Sequence, residues 1–250
     1  MIAPPTGKRR APPKVVGPTR LRGLPAAPGV AVAPALVFDR RAVVLPRRPP
    51  GTIRPDDEIA RLHAAIAASR DRIEAVRDGL AVADAAELGP VLDAHLLMHK
   101  DELLVTGAIG LIRDGVDAEH AVRRVATTTA ARLAAASSAY LAERARDVEH
   151  VGEAIVRELV GSGVELPTFT QPAILVAWDL APAEVVRLPR EFLRGIVTEQ
   201  GSARSHTAFL ARALRVPAVA GVEGIVELVS RDDVIVVDGL RGEVVLSPPE

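Results

Sequence analysis

The densest chemical text in the chain is Glu199-Gln-Gly-Ser-Ala-Arg-Ser-His-Thr-Ala-Phe-Leu-Ala-Arg212. The apolar run Gly195–Thr198 precedes it, the small residues Gly201, Ser202 and Ala203 form a loop, and a helical pattern opens at Ser205 or His206. A strand, a loop of small residues and a helix start bring backbone N–H groups and the positive end of a helix to one point, which suits an anion such as phosphate. His206 stands at that point between the hydroxyls of Ser205 and Thr207, with Arg204 and Arg212 as cations. A neutral imidazole nitrogen is a nucleophile towards phosphorus and can carry a covalent intermediate. Arginine charge nearby disfavours the imidazolium and so favours that neutral form. On pattern alone, a histidine that merely caps a helix in an ordinary βα loop accounts for the same text equally well.

The other polar candidates are weaker. His95 and His99 stand at i, i+4, but no glutamate lies in the spacing of a zinc-protease helix and no third ligand is evident, so no metal is expected. One of the two is expected at an interface and the other packed on a helical face. His63, His120 and His150 lie among charged helical residues and are expected to be solvated. Trp178 is expected in the core. Asp179 and Glu184 read equally as helix caps or as groups near His206. The chain has no Cys, which excludes disulfides, thiolate nucleophiles and the usual structural zinc or iron–sulfur sites, and fits a reducing cytoplasm. One Trp, one Tyr and four Phe leave no stacking platform for single-stranded nucleic acid. No apolar stretch approaches the roughly 20 residues of a membrane span, and the basic start lacks the apolar segment of a secretory signal.

The net charge of −1 over 250 residues hides an uneven distribution. Residues 1–55 carry a balance of +10, residues 56–165 one of −8, and residues 166–250 one of −3, a partition that marks a tail and distinct modules. Residues 1–22 are basic and Pro-rich with no acid and read as a disordered extension. Leu24–Phe38 reads as strands with bends, and residues 46–51 as a linker. From Pro55-Asp56 onward the period becomes helical. Stripes through Ile59–Leu80, through Leu88–Leu103, after Asp117 and from Ala139 to Leu159 predict four amphipathic helices, the last ended by Gly161 and Gly163. After Pro167 short apolar runs alternate with short helical patterns, which predicts an α/β domain. Residues 23–50 and 166–250 are expected to form that domain together, with residues 56–165 as an all-α insertion. The acid excess of the insertion marks exposed helix faces and could also steer a basic partner.

The stretch GSARSHTAFLARALRVPAVAGV resembles the phosphohistidine loop of phosphoenolpyruvate-utilising enzymes, G-G-x-x-S-H-(T/A)-x-(I/L)-x-A-R-x-(L)-x-(I/V)-P-A-V-x-G. AHLLMHKDELL, AYLAERARDVEHVGEAI, ILVAWDLAPAEVVRL and LPAAPGVAVAPAL each look like enzyme I of the bacterial sugar phosphotransferase system. The resemblance runs in order over about residues 21–248. It implies a swivelling α/β phosphohistidine domain with an inserted helical-hairpin subdomain of four helices that docks the small phosphocarrier HPr. It implies that His206 accepts phosphate, with Gly201, Ser202, Arg204, Ser205, Thr207 and Arg212 supporting it. It also implies a carrier-docking surface of His95, Leu97, Met98, Tyr140, Leu141 and Arg144. Phosphoenolpyruvate and Mg²⁺ belong, by the same resemblance, to a C-terminal barrel that this chain lacks and another chain would have to supply, so no cofactor is expected here. A cytoplasmic monomer that touches neither nucleic acid nor membrane is the expectation.

Three positions depart from the family pattern. The second glycine is Ser202, the Thr expected two residues before the histidine is Arg204, and Val185 stands where a Thr is often found. Arg204 could act as a bidentate phosphate donor or pair with an acid. The other readings are a phosphotransfer subunit of a dihydroxyacetone kinase system, a non-catalytic HPr-binding regulatory module, and a truncated enzyme I.

Overall fold

The computed structural model describes residues 17–39, 43, 45–46, 54–136, 138–162, 166–203 and 205–248, with the backbone alone at 83, 139, 140, 142 and 143. The linker residues 47–51, Gly163 and Arg204 lie outside the described residues, as does the tail up to residue 16. Thr19–Arg22, expected as part of the tail, forms strand β1. It is followed by β2 (Leu24–Ala27) and β3 (Val30–Phe38).

Five helices come next among the described residues: α1 (Pro55–Asp78), α2 (Val82–Met98), α3 (Glu102–Arg113), α4 (Ala118–Ala134) and α5 (Ala139–Val160). Four were expected. The stripe that runs to Leu103 breaks at Lys100-Asp101, where the Asp101 carboxylate accepts the Leu103 N–H at 2.8 Å and starts a new helix. Asp117 caps α4 through the His120 N–H in the same way. Pro55 opens α1 with three acids in its first turn, which complements the helix dipole, and Gly161 in the left-handed region (φ 70°) ends α5.

The remaining elements alternate: β4 (Ala173–Ala177), α6 (Pro182–Val186), β5 (Leu193–Thr198), α7 (His206–Ala213), β6 (Ala218–Ala220), α8 (Ile225–Leu228), β7 (Val234–Asp238) and β8 (Glu243–Leu246). The eight strands form one sheet in the order β1-β8-β7-β3-β4-β5-β6-β2. β3 joins its two halves. Residues 30–34 pair antiparallel with β7, and residues 35–38 pair parallel with β4. Strands from both sides of the helical segment therefore complete one sheet. β4 is buried at every position, AILVA, as a central parallel strand between two covered faces should be.

One face of the sheet packs Leu175, Leu193 and Ile196 against Leu210 and Ala211 of α7 and Leu88 and Val91 of α2. The other packs Ile174, Val176 and Val197 with Ile225, Val226, Ile235 and Val237. The helical part has its own core, which includes Leu62, Leu104, Ile112, Val122 and Ile155. Glu58 fastens it, accepting from Arg61 and from the Ala118 N–H at the start of α4. α2 belongs to both parts, since Leu92 and Leu96 pack on Ile73 of α1 while Leu88 and Val91 face the sheet. Asp179 and Gln200, just past the C-terminal ends of β4 and β5, bond His150 and Arg146 of α5, which brings the helical segment to the loop that precedes α7.

Candidate functional site

Thr198 ends β5, and its hydroxyl donates to the Gln200 carbonyl at 2.6 Å, which turns the chain into the loop. Gly201 follows at φ +107°, a conformation a side chain strongly resists. Ser205 is the N-cap of α7, its hydroxyl accepting the Ala208 N–H at 3.2 Å. His206 is therefore the first residue of the helix and stands at its positive end.

Thr207 and Arg212, two of the expected supporting residues, bond backbone carbonyls. The Thr207 hydroxyl donates to the Leu180 carbonyl at 2.9 Å and ties α7 to the end of β4. Arg212, expected as a cation for an anion, directs Nη1 to the carbonyls of Ala26 and Ala203 and holds the loop against β2. Ser202 accepts the Ser205 N–H through its carbonyl. Val185, where the family often has a hydroxyl, is fully buried.

The partners of His206 come from the helical segment. Asp147 on α5 accepts from His206 Nδ1 at 2.8 Å. Arg144, one turn earlier, reaches Asp147 Oδ2 at 3.1 Å and lies 3.4 Å from His206 Nε2. A carboxylate can only accept, so Nδ1 carries the proton and the lone pair of the neutral ring is on Nε2. His206 keeps 22% of its side chain exposed, while Asp147 keeps 8%. Burial opposes the charge of Asp147, but the imidazoles of His206 and His95 outweigh it and hold the carboxyl well below the usual carboxylate range.

His95 on α2 is 4% exposed. Its Nε2 lies 3.6 Å from Asp147 Oδ1, and its ring meets that of His206 edge-on at 5.9 Å. Burial pushes its pKa down and keeps it neutral. His99, the other member of the pair, is committed elsewhere: Nδ1 donates to the His95 carbonyl and Nε2 accepts from Ser69, each at 2.8 Å. Burial lowers His99 to about 4.

A second link crosses beside the first. His150, expected to be solvated, keeps only 16% exposure and bonds Asp179 at 2.8 Å. Burial opposes the charge of Asp179 as well, but His150, Arg146 and the Leu180 N–H outweigh it and lower its pKa. Arg146 bonds the Gln200 side chain at 2.8 Å and lies over the Trp178 ring at 5.9 Å. Trp178 is half-buried against the sheet core. Glu184 accepts the Ala181 N–H at 2.8 Å, so the capping reading holds for it.

The expected docking residues divide. Leu97 is 69% exposed and Leu141 38%. Met98 is half-buried on the helical core, while His95 and Arg144 turn inward to His206. Tyr140 lies in the first turn of α5, and its side chain is outside the described residues. Asp147 escaped sequence reading because 59 residues separate it from His206. Its one local signal is its position three residues after Arg144, on the same face of α5.

Two family models match the chain: "PEP-utilising enzyme, N-terminal" over residues 22–144 and "PEP-utilising enzyme, mobile domain" over residues 169–242. The phosphoenolpyruvate-protein phosphotransferase of Latilactobacillus sakei is 34% identical over 237 residues, 93% of this chain and 41% of that protein. That of Priestia megaterium is 29% identical over 232 residues, 92% of this chain and 40% of that protein. The chain thus spans about two fifths of the length of these curated relatives. A solution structure titled as enzyme I (nEIt) matches with a TM-score of 0.67 and 30% identity over 92% of this chain and 94% of that one. An N-terminal domain of "Enzyme 1 - Nitrogen" matches with a TM-score of 0.52 and 29% identity over 91% of this chain. Matched by both models and, along nearly its whole length, by a solved enzyme I domain, the chain belongs to the PEP-utilising enzyme family, in its enzyme I branch.

Proposed function

We propose that the protein carries a phosphoryl group on His206 and exchanges it with an HPr-like phosphocarrier. The observation that carries the reading is the His206–Asp147 pair, which fixes the proton on Nδ1 and leaves Nε2 as the nucleophile at the start of α7.

In the transfer, the lone pair of His206 Nε2 attacks phosphorus and forms an N–P bond. The bond from phosphorus to the carrier's histidine breaks, and its electrons leave with that ring. Because Nδ1 keeps its proton, the phosphorylated imidazole gains positive charge, which Asp147 balances at 2.8 Å. Arg144, 3.4 Å from Nε2, is placed to move from the ring nitrogen onto the incoming phosphoryl oxygens. Gly201, Ser202, Arg204 and Ser205 line the sequence at the helix start where those oxygens arrive. Thr207 and Arg212 fix the loop.

Leu97 near the end of α2 and Leu141 near the start of α5, both exposed, supply the apolar part of the docking face; Met98 and Tyr140 adjoin them in the sequence. His95 and Arg144 reach His206 from α2 and α5, the helices that carry those leucines. On this reading phosphoenolpyruvate and Mg²⁺ are not ligands of the His206 cluster. The groups gathered at His206, two imidazoles, one carboxylate and a guanidinium, are not the oxygen set that Mg²⁺ takes, and no step here uses it. The setting is cytoplasmic, where the phosphotransferase system operates. No described helix is long and apolar enough to cross a membrane.

The test is incubation of the chain with radiolabelled phospho-HPr. Label passes to the wild type and not to His206→Ala. Binding of HPr without transfer of label to the wild type sinks this reading and favours a regulatory module.

A further inference from the structure

The geometry points to a zinc-class cation site formed by His95, Asp147 and His206, which holds His206 in the form that cannot take phosphate. The three side chains come from α2, α5 and α7, and one ligand atom of each lies within 4.8 Å of the others. Asp147 Oδ1 stands between the two rings, 2.8 Å from His206 Nδ1 and 3.6 Å from His95 Nε2. Ligands held about 2.0–2.1 Å from a tetrahedral zinc are roughly 3.3 Å apart, so both separations need only small adjustment.

His95 Nε2 provides the second observation. It is buried, faces Asp147, and has no hydrogen-bond partner at this distance. A buried polar nitrogen without a partner is costly in an apolar setting, and a cation between it and Asp147 satisfies it. Two imidazoles and one carboxylate are the donor set of Zn²⁺ and its neighbours and not of Mg²⁺ or Ca²⁺. The partial exposure of His206 leaves the fourth position to water.

The consequence follows from the tautomer. A cation on Nδ1 takes the lone pair there and moves the ring proton to Nε2, the atom the transfer needs. The metal-bound ring with its proton on Nε2 therefore has no lone pair with which to attack phosphorus. Arg144, 3.1 Å from the other oxygen of Asp147, opposes added positive charge. That sets the site apart from a permanent structural zinc and makes occupancy reversible. The binding claim stands on geometry alone, while the inhibition rests on the proposed transfer by His206.

The full chain is titrated with zinc chloride against a chromophoric chelator, with MgCl₂ as control. The wild type takes up one zinc, Mg²⁺ does not compete, and His95→Gln weakens the uptake by more than about tenfold. His63→Gln and His120→Gln leave it unchanged. Equal zinc affinity in wild type and His95→Gln overturns the proposal. Should His95→Gln fail to fold, ¹⁵N imidazole spectra of the wild type decide. Zinc must shift His95 and His206 together, and shifts confined to other histidines overturn the site. Zinc also slows label transfer from phospho-HPr, and a chelator restores it. Zinc uptake without any label transfer retains the site and removes the phosphoryl reading. Label transfer with no zinc uptake does the reverse.

Discussion

At the scale of single residues, the site turns on which nitrogen of one imidazole bears the proton. Asp147 sets this through one 2.8 Å bond, and its own charge is kept by the rings around it. Asp147→Asn preserves shape but removes the charge that balances a phosphorylated ring. Losing one charge-assisted hydrogen bond is worth about 1.5–3 kcal/mol, so the rate of label uptake from phospho-HPr should fall roughly 10–100-fold. Circular dichroism should remain that of the wild type. An unchanged rate would mean that Asp147 does not orient His206. The loop itself, Gly201 to Arg212, was legible in the sequence because all its parts are adjacent. Asp147, Arg144 and His95 as neighbours of His206 were not, since a single sequence carries no signal for contacts between α2, α5 and α7. The roles of Thr207 and Arg212 were also hidden, because a hydroxyl or guanidinium turned to a backbone carbonyl reads in sequence like one turned to a ligand.

At the scale of elements, α5 is the piece on which the site depends. It supplies Arg144, Asp147 and His150 on one side and packs on α4 on the other. Gly152 permits the close approach, since a Cβ there would lie 2.4 Å from the Ala126 Cβ of α4. Gly→Ala in an exposed helix stabilises by about 1 kcal/mol, but here the overlap should reverse the sign. Gly152→Ala should destabilise by about 1–3 kcal/mol, read as a lower urea midpoint at constant slope. A raised midpoint would show that the two helices have room to separate. The helical stripes, the start at Pro55 and the stop at Gly161 followed from local rules of periodicity and capping. The break between α2 and α3 was missed because the apolar spacing continues through it. Asp101, a good capping residue, was its only mark. β1 was missed because Thr-Arg-Leu-Arg is short and charged, and its only claim to be a strand is a long-range pairing with β8.

At the scale of the whole molecule, the hydrogen bonds of Asp147 with His206 and of His150 with Asp179, and the ion pairs Arg146–Asp179 and Asp84–Arg190, join the helical segment to the sheet. His99 is buried on α2, its neutral ring donating from Nδ1 to the His95 carbonyl and accepting from Ser69 at Nε2, and burial disfavours its charged form. Its folded pKa of about 4 is below its unfolded value of roughly 6.5. The unfolded chain therefore binds more protons between those values, and stability falls as pH drops through that window. The loss should be about 2 kcal/mol by pH 5. Thermal midpoints between pH 7 and 5 should decline in the wild type and decline less in His99→Gln. Equal slopes would remove His99 as the cause. Asp147 and Asp179 are lowered, so their contribution persists to more acid conditions and is lost only below about pH 4. Strands that precede the helical segment, β1 to β3, and strands that follow it, β4 to β8, complete one sheet.

The central claim is that His206 is the phosphoryl carrier and that Asp147 directs the phosphate to one of its nitrogens. The most direct measurement is a ¹⁵N–³¹P correlation on the chain after reaction with phospho-HPr. A single phosphorus bonded to His206 Nε2, with Nδ1 still protonated, is the result the geometry predicts. Phosphorus on Nδ1, on another residue, or on no residue of this chain would contradict it.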